Sequence, residues 1–344
     1  MRQPARGDRR QAARSPLEVR TGFLDGIWAA VATPFQADGA LDPKAIERNA
    51  HTYGRTLGLD GIFCNGLMGE GWALSADERR LALEATLSGR AGHLRVGVVT
   101  THHSLAETLD LSRHAARTGA DHLVLMRPGG LFSDDDLDRY VRSVRDAVEI
   151  PIVLFDSGAQ SGGFPLAVLR RLAEDGQIQA VKCTRDWDAV NEVRAGCGHA
   201  IAVADPYESH WLGNLIRFDL RALYADPEPY LFQLPGCRLI HDYYRAYACG
   251  DLRSAMDHYR ALEPLRSVYE RWILAPLKSG RPMNAALKHW CGRMGLAAGP
   301  VRAPLRPLSA DDARRLDQDL TDAFGAVFRP DSMPEKDEGA VWKS

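Results

Sequence analysis

The sequence predicts an α/β fold, a (β/α)8 TIM barrel with a C-terminal helical extension. Three observations predict it. Short, nearly all-apolar runs recur every ~25–30 residues between Ile27 and Tyr224, as strands buried on both faces do. Segments with helical periodicity and helix-start signals lie between them. No glycine-rich GxGxxG follows any run, which disfavours an open doubly wound sheet.

In chain order the runs are Ile27–Ala32, Gly61–Cys64, Val96–Thr100, His122–Met126, Ile152–Phe155, Ala180–Cys183, Ile201–Ala204 and Arg221–Tyr224. After the first, Leu41-Asp42-Pro43 places an N-cap Asp before a proline at the first helical position. After the second, Ser75-Ala-Asp-Glu78 is a capping box, each side chain satisfying an orphan amide of the first turn. Ser104 starts a helix carrying Glu107, Leu111 and Ala115. Ser133-Asp-Asp-Asp136 opens the next, to Val148, and loads its positive end with carboxylates. Beyond Asp226 the strand signal stops, and helices are read over Leu239–Cys249, Leu252–Leu274, Asn284–Gly295 and Ala310–Phe324. The expected division is a disordered extension over 1–24, the barrel over 25–228, a helical region over 229–328 and a disordered tail over 329–344.

The 45% apolar and 26% charged fractions of the 344 residues are those of a soluble globular protein. A net charge of −2 leaves no basic footprint for nucleic acid. No run approaches the ~18 apolar residues of a membrane span. Six scattered cysteines without CxxC give neither a disulfide framework nor a zinc cluster, so a reducing, cytoplasmic setting is expected. The Arg-rich first twenty residues lack the apolar core of a secretory signal.

Active sites of such barrels lie at the C-terminal ends of the strands. Lys182 is the most informative residue there. The chain has only six lysines, Lys44, Lys182, Lys278, Lys288, Lys336 and Lys343, and otherwise uses Arg wherever a cation is wanted. A buried ammonium is costly unless paired or deprotonated, and desolvation is the condition for an amine that attacks a carbonyl. The structural alternative is a lysine paired with Asp186, Asp205 or Asp226 around the barrel mouth. Other strand-end groups carry less. His102 and His103 are adjacent, so on a strand they face opposite ways and read as capping or packing residues. Cys183 follows Lys182 and should face away from the axis. Gly66-Leu-Met-Gly-Glu70 is a loop whose amides suit an anion.

In this order and spacing the motifs resemble the dihydrodipicolinate synthase / N-acetylneuraminate lyase family, from about Gly26 to Leu308. The landmarks are Ala32-Thr-Pro-Phe35, Gly66-Leu-Met-Gly-Glu70, Leu74-Ser-Ala-Asp-Glu78-Arg79, Leu105-Ala-Glu-Thr108, Gly119-Ala-Asp121, Pro151-Ile-Val-Leu-Phe155, Ala180-Val-Lys182 and Gly299-Pro-Val-Arg302-Ala-Pro-Leu305. The resemblance implies that Lys182 forms an imine with a 2-oxo acid such as pyruvate, in a homotetramer and without a cofactor.

The departures are as informative. The family's loop reads Gly-(Thr/Ser)-Thr-Gly-Glu, and here both hydroxyl positions are apolar, Leu67 and Met68. Its proton-relaying tyrosine falls on Phe155, its Asn-x-Pro on Asp156-Ser-Gly158, and a second tyrosine on Gly129-Gly130. Its carboxylate-binding arginine is displaced or falls on Gln160. The expectation is a divergent lyase, aldolase or hydratase-type enzyme acting on a 2-oxo acid or aldehyde in an unusually apolar pocket. Lys182 and Asp156 are its expected catalytic residues, with His102, Tyr207 and the substrate's own carboxylate as further acid/base candidates. Gly66, Leu67, Met68, Phe155 and Asp205 are expected to bind substrate. One alternative is a non-catalytic barrel that binds a small carbonyl or carboxylate ligand. Another is a metal-dependent enzyme using His102, Asp205 and Asp226.

Overall fold

A computed structural model describes residues 22–157 and 162–328. Eight parallel strands form the barrel: β1 Gly26–Ala30, β2 Gly61–Cys64, β3 Arg95–Val99, β4 His122–Met126, β5 Ile152–Asp156, β6 Ala180–Cys183, β7 Ala202–Ala204 and β8 Ala222–Ala225. They are hydrogen-bonded in the order β7-β6-β5-β4-β3-β2-β1-β8. The ladder thus runs unbroken around the barrel to the seam between β7 and β8. All eight runs expected from the sequence are strands, each within two residues of its expected ends. The expected N-terminal boundary moves back: Gly22–Leu24 form a short 3₁₀ turn whose Leu24 is fully buried. The remainder of that extension, the tail from Arg329, and Gly158 and Gln160 lie outside the described residues.

Helices follow the strands where their start signals stand. Asp42 accepts a hydrogen bond from the Ala45 amide at 3.0 Å to begin Pro43–His51. Both capping boxes close, Ser75 with Glu78 and Ser133 with Asp136. Ser104 precedes Leu105–Thr118 without a side-chain cap.

The lower barrel is filled by rings. Trp28 and His122 fit because Gly61 and Gly97 lie against them; a Cβ at either glycine would come within 2.3 Å of the ring. His122 Nε2 is 2.6 Å from the Tyr224 hydroxyl. Tyr224 in turn stacks under Phe63, centroids 4.7 Å apart and planes 4° from parallel. Burial holds His122 neutral, its pKa pulled down to about 3.

The C-terminal region is helical, with one correction. The stretch expected as a single helix over Leu252–Leu274 breaks at Leu262. Leu252–Ala261 ends there, and Glu263–Tyr269 begins with Pro264 in its first turn. That proline has no amide to donate and instead starts a new helix. Buried polar pairs fasten this region to the barrel. Arg266 holds Glu208 at 2.8 and 3.0 Å. Lys288 holds Glu70 at 2.7 Å.

Candidate active site

The C-terminal ends of the strands gather the candidate residues. Lys182, third residue of β6, has its side chain 1% exposed. Its register partner on β5 is Phe155, so both face the axis. The lysine Nζ lies 4.7 Å from the centroid of the Phe155 ring and 4.7 Å from that of Phe63 on β2. The polar partner is Asp226, immediately after β8, with Oδ1 at 2.5 Å. Of the three carboxylates considered for a paired lysine, the fold selects Asp226. The result is an amine walled by two phenyl faces and met by one carboxylate, at the end of the barrel where catalysis is expected.

The other sequence candidates divide. Phe155 stands at the lysine. Asp156, the next residue, points the other way by strand alternation. Its Oδ1 accepts from the Phe164 amide at 2.7 Å and its Oδ2 lies 2.6 Å from Arg185 Nε. Cys183 Sγ is 3.5 Å from the same carboxylate, so the thiol faces outward, as read from the sequence. Burial and that charge push the thiol pKa up to about 12. Asp156 is therefore a clamp for the β5 and β6 ends, and the structure does not bring it to Lys182. Asp205 is likewise engaged locally, accepting from the Tyr207 amide at 3.0 Å and lying 2.8 Å from His210 Nδ1. His102 Nδ1 accepts from the Ser104 amide at 3.1 Å. The three residues of the metal-dependent alternative thus each hold a separate protein partner.

The loop after β2 is a tight turn. The Gly71 amide donates to the Gly66 carbonyl at 3.0 Å and the Glu70 amide to that of Leu67 at 3.1 Å. Gly71 is obligatory, since a Cβ there would sit 1.9 Å from the Asn65 carbonyl oxygen. Met68 is buried and Leu67 half-buried. Asn284 from the C-terminal region donates to the Leu67 carbonyl at 3.0 Å. Glu70 does not face the lysine site. Besides Lys288, it accepts from the Arg302 amide at 2.9 Å and so anchors the loop from behind.

The sequence model of the dihydrodipicolinate synthetase family matches residues 23–215. The chain belongs to that family. It is 27% identical over 303 residues to the 4-hydroxy-tetrahydrodipicolinate synthase of Methanothrix thermoacetophila, covering 86% of this chain and 96% of that one. It is 29% identical over 300 residues to the N-acetylneuraminate lyase of Rhizobium meliloti, covering 85% and 93%. The crystal structure of YagE, a prophage protein of E. coli K12 in complex with pyruvate, superposes with a TM-score of 0.74 at 24% identity, over 87% of this chain and 98% of that one. The family is one of small-molecule lyases, and this member carries phenylalanine at the β5 position and two apolar side chains in the β2 loop.

Two groups at the site escaped sequence reasoning. Phe63 looks like any core residue of a buried strand until the barrel closes and sets it beneath the lysine. Glu228, two residues after Asp226, is buried. Burial and the nearby Asp226 charge push its carboxyl well above the ordinary carboxylate range. The spacing Asp226-x-Glu228 at a strand end was the available signal. Among the described residues no helix is long and apolar enough to cross a membrane.

Proposed function

We propose that this protein is a class I lyase or aldolase, or a hydratase-type enzyme, in which Lys182 forms an imine with a 2-oxo acid such as pyruvate or a derivative. The observation that carries the reading is the environment of Lys182 Nζ, fully buried between two aromatic rings and facing one carboxylate. A lysine amine held at this end of the barrel is the kind of nucleophile that attacks an entering carbonyl carbon. No cofactor is required by this chemistry, because the iminium is itself the electron sink.

The substrate carboxylate would rest on the backbone amides of Leu67 and Met68, a contact independent of the missing hydroxyls. Leu67, Met68, Phe63 and Phe155 make this end of the barrel apolar and favour a substrate with an aromatic or otherwise weakly polar portion. The assembly proposed is the homotetramer implied by the family, which light scattering measures.

The test is borohydride reduction in the presence of a panel of 2-oxo acids, read by intact and peptide mass spectrometry. The expected result is a stable adduct on the peptide containing Lys182, absent in Lys182→Ala. No adduct with any acid, in folded protein that nevertheless binds one of them, would establish a non-catalytic carbonyl- or carboxylate-binding barrel instead.

A further inference from the structure

We propose that Asp226 is the acid–base residue of imine formation in this enzyme, supplying from the end of β8 the proton transfers for which β5 offers no hydroxyl. The inference rests on the reading of Lys182 as the imine-forming amine. Its geometry is direct: Asp226 Oδ1 lies 2.5 Å from Nζ, and the two side chains are 6% and 1% exposed. Phe63 and Phe155 present only ring faces to the nitrogen and can neither take nor give a proton.

Several neighbouring acids and hydroxyls are otherwise engaged, and the unpartnered Tyr269 hydroxyl is pushed well above the ordinary tyrosine range by burial and by the Glu228 and Asp226 charges. Asp156 is clamped by Arg185 and Asp205 lies against His210. The Tyr230 hydroxyl donates to the Ala30 carbonyl at 3.0 Å. Tyr207 is held above the ordinary tyrosine range by burial and by the Asp226 charge, which makes it a poor acid.

Glu228 completes the arrangement. Its Oε2 is buried without a hydrogen-bond partner, and it lines, with Tyr207 and Tyr269, a cavity of about 520 Å³ between the barrel mouth and the C-terminal helices. Burial and the adjacent Asp226 charge favour its neutral form. Lys182 Nζ then meets the carboxylate of Asp226 at hydrogen-bond distance, with Glu228 standing behind it on the cavity side.

The protons balance without an outside donor. Asp226 takes one proton from the Lys182 ammonium, and the amine attacks the carbonyl carbon to form the C–N bond. The protonated Asp226 returns that proton to the resulting alkoxide, giving a carbinolamine that still bears a positive, two-hydrogen nitrogen. Asp226 then carries one of those hydrogens to the hydroxyl, which leaves as water as the C–O bond breaks. One ammonium and one ketone have become one iminium and one water.

The experiment measures the rate of borohydride-trapped adduct formation with pyruvate at neutral pH, with thermal melts to confirm folding. A shuttle predicts that Asp226→Asn slows adduct formation by about 10²–10⁴-fold, the usual worth of a positioned acid–base group. A carboxylate that merely holds the ammonium predicts the opposite sign. Its removal leaves an unpaired buried amine more often neutral, and adduct forms as fast or faster; that result overturns the inference. Asp226→Glu keeps the charge and displaces the oxygen by one methylene, so it carries the test should the Asn variant not fold. The shuttle predicts about a tenfold loss, whereas an unchanged rate overturns it. An unmodified protein that yields no adduct overturns the reading of Lys182 as well. An adduct formed equally well without Asp226 overturns this inference alone.

Discussion

Replacing Glu70 by Gln isolates the charge that fastens the loop after β2 to the C-terminal region. The Glu70 side chain is 0% and that of Lys288 3% exposed, with 2.7 Å between charged atoms. The amide oxygen of Gln still accepts from the Arg302 amide, so the loss is confined to the ammonium's counter-ion. Removing one member of a buried pair costs about 3–5 kcal/mol, because the remaining charge stays desolvated. Lys288 keeps the Pro300 carbonyl at 2.8 Å and the face of Phe35 at 4.0 Å, which puts the expected cost at the lower end, about 3 kcal/mol. Burial already pulls the Lys288 pKa below its ordinary value while Glu70 opposes that pull, so without Glu70 the amine loses its proton more readily. Urea unfolding at pH 7 followed by near-ultraviolet circular dichroism measures the difference. The double variant Glu70→Leu, Lys288→Met should recover most of it, since an apolar replacement of the whole pair removes both desolvated charges. A loss below about 1 kcal/mol in Glu70→Gln, the range of an exposed pair, would refute the claim that this contact is dry and anchors the loop.

Two further predictions concern the rings. Phe155→Tyr puts a hydroxyl beside Lys182 where the family carries its tyrosine, and pyruvate-aldolase turnover should rise at least about tenfold; no gain in a folded variant counts against loss of that hydroxyl as the cause of divergence. His122 stays neutral in the fold down to about pH 3, whereas the unfolded chain takes up a proton below about 6.5. Stability is therefore lost as pH falls through that window, by about 3 kcal/mol between pH 7 and 4.5 for this one group. His122→Gln should lose correspondingly less over the same interval in paired urea titrations, and an identical loss in both proteins would remove His122 as its source.

The barrel was legible because its strands are short apolar runs punctuated by cap residues, all of them local signals. Lys182 was legible for a compositional reason, the scarcity of lysine elsewhere. Its partner was not, since the stagger of closed strands decides which of Asp186, Asp205 and Asp226 reaches a β6 side chain. Asp156 could have been separated from Phe155 in advance: adjacent residues of one strand cannot both face the axis, and the ring took the inward place. The Glu70–Lys288 pair joins segments far apart in sequence, and nothing local in either marks the other. Pro264 was a visible punctuation mark within a convincing helical period, and its missing amide decided the break.

The seam between β7 and β8 gives the Lys182–Asp226 contact a mechanical meaning. Everywhere else neighbouring strands are sewn together by backbone ladders, but β7 pairs with β6 and β8 with β1. A side chain from β6 reaches past β7 to the first residue beyond β8, bridging the gap as a strut. The same nitrogen that would be consumed in imine formation thus helps hold the cylinder shut. An imine at Lys182 would replace that strut, so occupancy of the site and closure of the seam would depend on one bond.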